Sequence, residues 1–375
     1  MKILITGGAG FIGSRLALNL IARGHDITVL DNLLPQVHTN TPERSDLYLS
    51  IKGKVRLVRG CVTDREAWSK VLDGQEAIVH FAAETGTGQS MYQIEHYNRV
   101  NVGGTAIMLD ILANQSHSVR RIVVASSRSI YGEGKYLSRE MGAVYPVHRS
   151  AEAMKAGDFQ VKHPGCSELQ LVATCEDSKI HPSSVYGITK QVQEQLVMTV
   201  CPGLGIEPVA FRYQNVYGPG QSLTNPYTGI LSIFSNEMMA GKPINIFEDG
   251  NESRDFVFVD DVVEATTLGI ERPEAAGEVF NVGTGVPVKV MQVAQSLKAL
   301  IGADVPINVT GNFRLGDIRH NYADMAKARL LLDFTPKVDF ETGIARFVQW
   351  AMAQGAQDSD YQGSLEEMKR KGLMK

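Results

Sequence analysis

Three glycines at fixed spacing, Gly7, Gly10 and Gly13, stand directly after the apolar run Lys2–Thr6 (KILIT) and open a segment of helical spacing that continues to Ala22. A strand that ends on such glycines and turns at once into a helix leaves bare backbone N–H groups at the helix N-terminus, where the helix dipole favours an anion. Glycine lets a phosphate approach the backbone with no Cβ in the way. The strand before and the helix after separate this pattern from a chance glycine cluster. Asp31 follows the second β-branched run, Asp26–Leu30. A carboxylate there accepts hydrogen bonds from adenosine ribose hydroxyls and repels a 2′-phosphate, so the pair of features predicts a dinucleotide site for NAD rather than NADP.

The same beat continues down the chain. Strands are expected at Lys54–Gly60, Glu76–Ala83, Arg120–Ser127 and Glu207–Tyr213. Helices are expected between them: one capped by Thr63 with Glu66 and running to Leu72, a long one over Tyr97–Asn114, and one over Ser184–Val200 capped by Ser183 or Ser184. Alternation of this kind predicts an α/β fold, a Rossmann-type doubly wound parallel sheet. The chain has 375 residues, more than one core usually holds, so a smaller C-terminal α/β substrate domain is expected. The division falls at residues 1–214 and 215–375, with some later segments returning to the first domain. An aperiodic stretch over about 133–181 reads as an insertion, and the polar end, Gly355–Lys375, as a surface helix or loose tail. A net charge of −4 without a basic block disfavours nucleic acid and anionic membrane as partners. Four scattered cysteines and the absence of a signal peptide fit a reduced, cytoplasmic setting.

Tyr186 and Lys190 lie at i and i+4 on an expected helix, so both project from one face. A free phenol titrates near ~10, too high for a base at neutral pH; a nearby ammonium and a cationic nicotinamide would both lower it. Ser127 ends the fifth strand at the sheet edge where such folds bind ligands, and its hydroxyl can bridge Tyr186 and a substrate oxygen.

On these residues the chain resembles the extended short-chain dehydrogenase/reductases of the nucleotide-sugar group. GGAGFIG, HFAAETGTGQS, NVGGT, SSRSIYG, YGITK, RYQNVYGPG and SRDFVFVDD match that group in order along nearly the whole chain. The resemblance implies further cofactor contacts from Phe11, Ile12, Asn32, Val62, Phe81, Ala82, Ala83, Asn101 and Ser126. It places Gln214 beside the nicotinamide. Cys61 replaces the group's usual Asp near adenine and lacks its acceptor oxygens. Asn215 and Arg254 resemble diphosphate ligands, Arg314 and Asp317 resemble residues holding the nucleoside, and Phe247 resembles a wall of the base pocket. Thr87 is the preferred sugar contact within Glu84–Ser90. The partners implied are a nucleoside-diphosphate sugar and a second copy of the chain, paired through the helices at Tyr97–Asn114 and Ser184–Val200.

The residues directly after Ser127 narrow the reaction. Sugar 4,6-dehydratases resemble T-D-E-x-Y-G there and use the two acids for elimination. This chain has Arg128 and Ser129, so hydride return to the opposite face, a C4 epimerisation, is the simplest outcome. AAETGTGQSMY and GPGQSLTNPYTGI resemble the dTDP-L-rhamnose 4-epimerases, which implies exchange of dTDP-L-rhamnose with dTDP-6-deoxy-L-talose. UDP-glucose or UDP-galactose, a 4-ketoreductase or dehydratase reaction, and a non-catalytic cofactor-sensing or RNA-binding relative stay open. His163, Cys166 and Cys175 in the insertion offer three zinc-type ligands, but an incidental loop is the preferred reading, so no metal is expected.

Overall fold

The computed structural model describes residues 1–375. Seven parallel strands form the large sheet: β1 (Lys2–Thr6), β2 (Asp26–Asp31), β3 (Arg56–Arg59), β4 (Ala77–His80), β5 (Arg121–Ser127), β6 (Glu207–Tyr213) and β7 (Val279–Val282). Their order is β7-β6-β5-β4-β1-β2-β3. Period-two alternation sends Ile3 and Ile5 into one apolar layer and Leu4 into the other. Helices cover both faces, which is why the strands read as continuous apolar runs. Helix α1 (Phe11–Ala22) packs on the first face, and α2 (Gly104–Asn114) and α3 (Val185–Gly203) on the second. Ser184 caps α3 by accepting from the Gly187 N–H. No helix is long and apolar enough to cross a membrane.

The later residues build a third apolar cluster, with Phe256, Phe258, Leu297 and Phe347, between the strands Asn215–Tyr217, Ser253–Phe258 and Pro287–Lys289 and the helices Ile230–Met239, Val290–Ile301 and Phe340–Gln354. Within this half, β7 leaves to pair with β6.

One local expectation is corrected and three others gain detail. The cap expected at Thr63 is Asp64, whose carboxylate accepts from Glu66 N at 2.9 Å; the helix spans only Arg65–Ser69. The Thr63 hydroxyl faces Cys61 Sγ instead, at 3.1 Å. The long helix expected from Tyr97 is interrupted by a wide π-turn over Asn98–Gly103 before α2 begins. The aperiodic insertion has elements of its own: Tyr136–Ser138, Gly142–Val144 and Gln170–Leu171 pair into a small sheet, and the short helix Ala151–Lys155 lies between the second and third of these strands in sequence. Of the two forms expected for the C-terminal segment, surface helix or loose tail, the chain takes the helix. Helix α4 (Tyr361–Arg370) buries Leu365 and Met368, and the residues after it pair with Phe313 and Leu315 through backbone bonds of 2.8–3.0 Å.

Candidate active site

Strand order reverses between β1 and β4, so their carboxyl ends open a crevice. A cavity of about 590 Å³ fills it and extends to the strands of the C-terminal half. All the residues expected to serve catalysis, the cofactor or the substrate line this cavity except Asn101. Asn101 lies fully buried behind the wall, in the π-turn. Its Oδ1 accepts from Glu84 N at 2.7 Å, and its Nδ2 donates to Glu84 O and to Thr189 Oγ1. Expected beside the cofactor, it instead has every side-chain polar group matched and fixes the loop that carries Glu84.

At the glycine end, α1 starts at Phe11 on Gly10 with no side-chain cap. The first-turn N–H groups are therefore free toward the cavity. Gly7 has φ +68, and a Cβ there would sit 2.8 Å from Ala82 N, so only glycine serves at this turn. Asp31 accepts from Ala9 N at 2.9 Å and Leu33 N at 2.8 Å; its carboxylate thus ties the glycine loop to the end of β2 while lining the cavity. Further along, Gln214 is buried, and both its Oε1 and its Nε2 lack a partner. Bare N–H groups at one end and an unmatched carboxamide at the other fit a dinucleotide with a diphosphate and a carboxamide ring.

Tyr186 and Lys190 project together from α3, and Ser127 ends β5 beside them. Burial raises the Tyr186 phenol above its ordinary value, while the Ser127 hydroxyl and the Arg128 charge pull it down. Burial lowers Lys190 to about 7; its Nζ donates to Ala125 O at 2.8 Å and Gln193 Oε1 at 3.0 Å. Arg128 thus adds a second cation on the phenol's side of the cavity, besides Lys190. Ser126 lines the cavity, but its hydroxyl turns back to Glu194 at 2.5 Å.

At the far end, Arg314 holds Asp317 through Nε at 2.8 Å and stacks 5.2 Å from the centroid of the Phe247 ring. Arg254 spends its Nη atoms on the carbonyls of Ser253, Ile318 and Arg319. In the insertion, Cys166 Sγ lies 3.8 Å from His163 Nδ1, whereas Cys175 faces Ser178, so the three candidate ligands do not converge. His80 is buried between the hydroxyls of Thr6 and Thr105, as a structural polar residue would be.

From the sequence, Arg128 is as open to a surface ion pair as to a substrate phosphate, and Tyr227, Tyr361 and Met368 carry no assignment; all four line the cavity. Tyr361, Leu365 and Met368 follow helical spacing, a signal present in a segment whose polarity hides it.

The sequence profile of the NAD dependent epimerase/dehydratase family matches residues 3–153 and 163–283. A dTDP-L-rhamnose 4-epimerase of Burkholderia thailandensis is 38% identical over 93% of this chain and 94% of its own length. A putative UDP-glucose 4-epimerase of Methanocaldococcus jannaschii is 31% identical over 93% of this chain and 97% of its own. Among solved structures, the UDP-glucose 4-epimerase of Thermotoga maritima with UDP-glucose superposes with a TM-score of 0.75 at 28% identity, covering 94% of this chain and 99% of that one.

Proposed function

Because this chain belongs to the NAD-dependent epimerase/dehydratase family, we propose that it interconverts dTDP-L-rhamnose and dTDP-6-deoxy-L-talose by inverting C4 of the sugar. It is an NAD-dependent isomerase of the nucleotide-sugar 4-epimerase group. The observation that carries the reading is the Ser127-Arg128-Ser129 sequence at the end of β5, beside Tyr186. It provides proton transfer at one carbinol and no acid pair for elimination of water. The dTDP-L-rhamnose 4-epimerase relative supports the choice of sugar and base.

In this reading the backbone at Gly7, Gly10, Phe11, Ile12 and Gly13 receives the NAD diphosphate. Asp31 and Asn32 face the adenosine ribose, Cys61 and Val62 the adenine, and Phe81, Ala82, Ala83 and Gln214 the nicotinamide half. Held by these residues, NAD would supply a reversible hydride acceptor for C4, and return of the hydride to the opposite face of the sugar would invert that carbon. Tyr186 holds the proton of the C4 hydroxyl during the keto stage, and Ser127 orients that oxygen. Asn215 and Arg254 serve the substrate diphosphate, Phe247, Arg314 and Asp317 the nucleoside, and Thr87 the sugar. Helix α4 roofs this end and keeps water out.

Incubation of the protein with dTDP-L-rhamnose, UDP-glucose and UDP-galactose, without added NAD, tests the reading by product chromatography. A C4 epimer of dTDP-L-rhamnose with no net NADH is expected. Tyr186→Phe should lose roughly 10²–10⁴-fold in turnover, the range for one general acid–base group, with NAD still bound. Faster turnover of a UDP-hexose would reassign the substrate, and stoichiometric NADH would replace epimerisation by net oxidation.

A further inference from the structure

Arg128 follows Ser127 directly and opens the short turn Arg128–Tyr131. Its side chain lines the cavity. Nε donates to Asn215 Oδ1 at 3.1 Å, and this is its one side-chain hydrogen bond. No carboxylate comes within ion-pairing distance, and neither Nη group has an acceptor within hydrogen-bond reach. The charged and ionisable groups around it are Arg254, Asp317, Tyr186 and Glu133. Burial first, and then the like charge of Arg254, hold its guanidinium down to about 9.

Arg128 is half-buried, and the arginines whose side chains are fully buried are treated differently. Arg149 lies against Glu133 and Glu248, Arg212 against Glu194, and Arg319 against Glu248, Asp249 and Glu252. A desolvated cation without a partner is costly, and two side by side cost more. Arg128 shares the wall of one cavity with Arg254, whose Nη atoms are already taken by three carbonyls, so its like charge adds to the cost of the unmatched Arg128. The arrangement is therefore incomplete until an anion arrives. In a nucleoside-diphosphate 6-deoxysugar the diphosphate is the only anionic group.

We propose that Arg128 is a substrate-diphosphate ligand that takes the sugar-side phosphate through its two Nη groups, beside Arg254. The assignment rests on the nucleotide-sugar reading above. Because Arg128 is the neighbour of Ser127 in sequence, the phosphate anchor and the group that orients the reacting hydroxyl share one rigid strand end. A planar guanidinium suits this task, since it grips phosphate oxygens in pairs.

Calorimetric titration of dTDP, dTMP and NAD into the wild type, Arg128→Gln and Arg128→Lys tests the assignment. Arg128→Gln should weaken dTDP about tenfold or more, as loss of a charge-assisted pair does. The loss for dTMP, which lacks the sugar-side phosphate, should be much smaller, and NAD affinity should stay unchanged. Arg128→Lys should still lose about threefold for dTDP, because a point charge cannot reproduce the fork; it carries the test if Arg128→Gln does not fold. Equal dTDP affinity in wild type and variants, or equal losses for dTDP and dTMP, overturns the assignment. If the wild type prefers UDP to dTDP, the base is wrong and the same comparison with UDP and UMP decides on Arg128. If it binds neither, the nucleotide-sugar reading fails and the clamp fails with it.

Discussion

Lys190 shows how far a residue's role depends on surroundings that its sequence position does not reveal. The i, i+4 spacing placed it correctly with Tyr186 on one face of α3. The expected electrostatic partnership is altered by burial, which brings the ammonium to about 7. In the unfolded chain a lysine titrates near ~10.4, so between those two values the unfolded state binds the extra proton. Stability should therefore rise with pH across that window through this residue alone, and be flat below it. Lys190→Met removes the group. Melting temperatures of wild type and variant without NAD, at several pH values from mildly acidic to strongly alkaline, should differ by an amount that moves in favour of the wild type as pH rises. A constant difference would show that Lys190 titrates normally. Arg128 is the converse case. Its position beside Ser127 was visible in the sequence, but its lack of a carboxylate partner was not.

At the scale of elements, α1, α3 and the parallel strands were legible because each satisfies its backbone locally and carries its own apolar period. Helix α4 was not, because its apolar face is narrow and its partners lie elsewhere. The Tyr92 hydroxyl bonds Tyr227 at 2.5 Å and donates to Glu367 of α4 at 3.2 Å, joining three segments over the cavity. Met368 is buried against this layer and also lines the cavity. Met368→Ala should cost roughly 2 kcal/mol or somewhat more, as large-to-small changes at buried methionines do. Loosening of α4 should raise the KM for the nucleotide sugar while NAD affinity stays constant. Steady-state kinetics paired with NAD titration would show this, and an unchanged KM would remove α4 from the substrate site.

For the whole molecule, the insertion acts as a strut. Arg149 reaches out of it to Glu248 through both Nη atoms at 2.5 and 2.9 Å, and to the carbonyl of Asp317 beside the nucleoside end of the cavity. Arg149→Met would leave buried Glu133 without a cation and Glu248 with Arg319 alone, at a cost of about 3–5 kcal/mol. Urea denaturation should show a clear fall in the midpoint; a midpoint within error of the wild type would mean that the cluster relaxes without Arg149. The sequence by itself determined the glycine cradle, the alternation of strands and helices, and the Tyr186–Lys190 face. Each of these depends on backbone geometry and side-chain periods that are complete within a few turns of chain. Only the tertiary structure decided which arginines found carboxylates, where Asn101 turns its amide, and what roofs the cavity. Those outcomes depend on contacts such as Tyr92 with Glu367, 275 positions apart, and desolvation at such contacts is set by every neighbour at once.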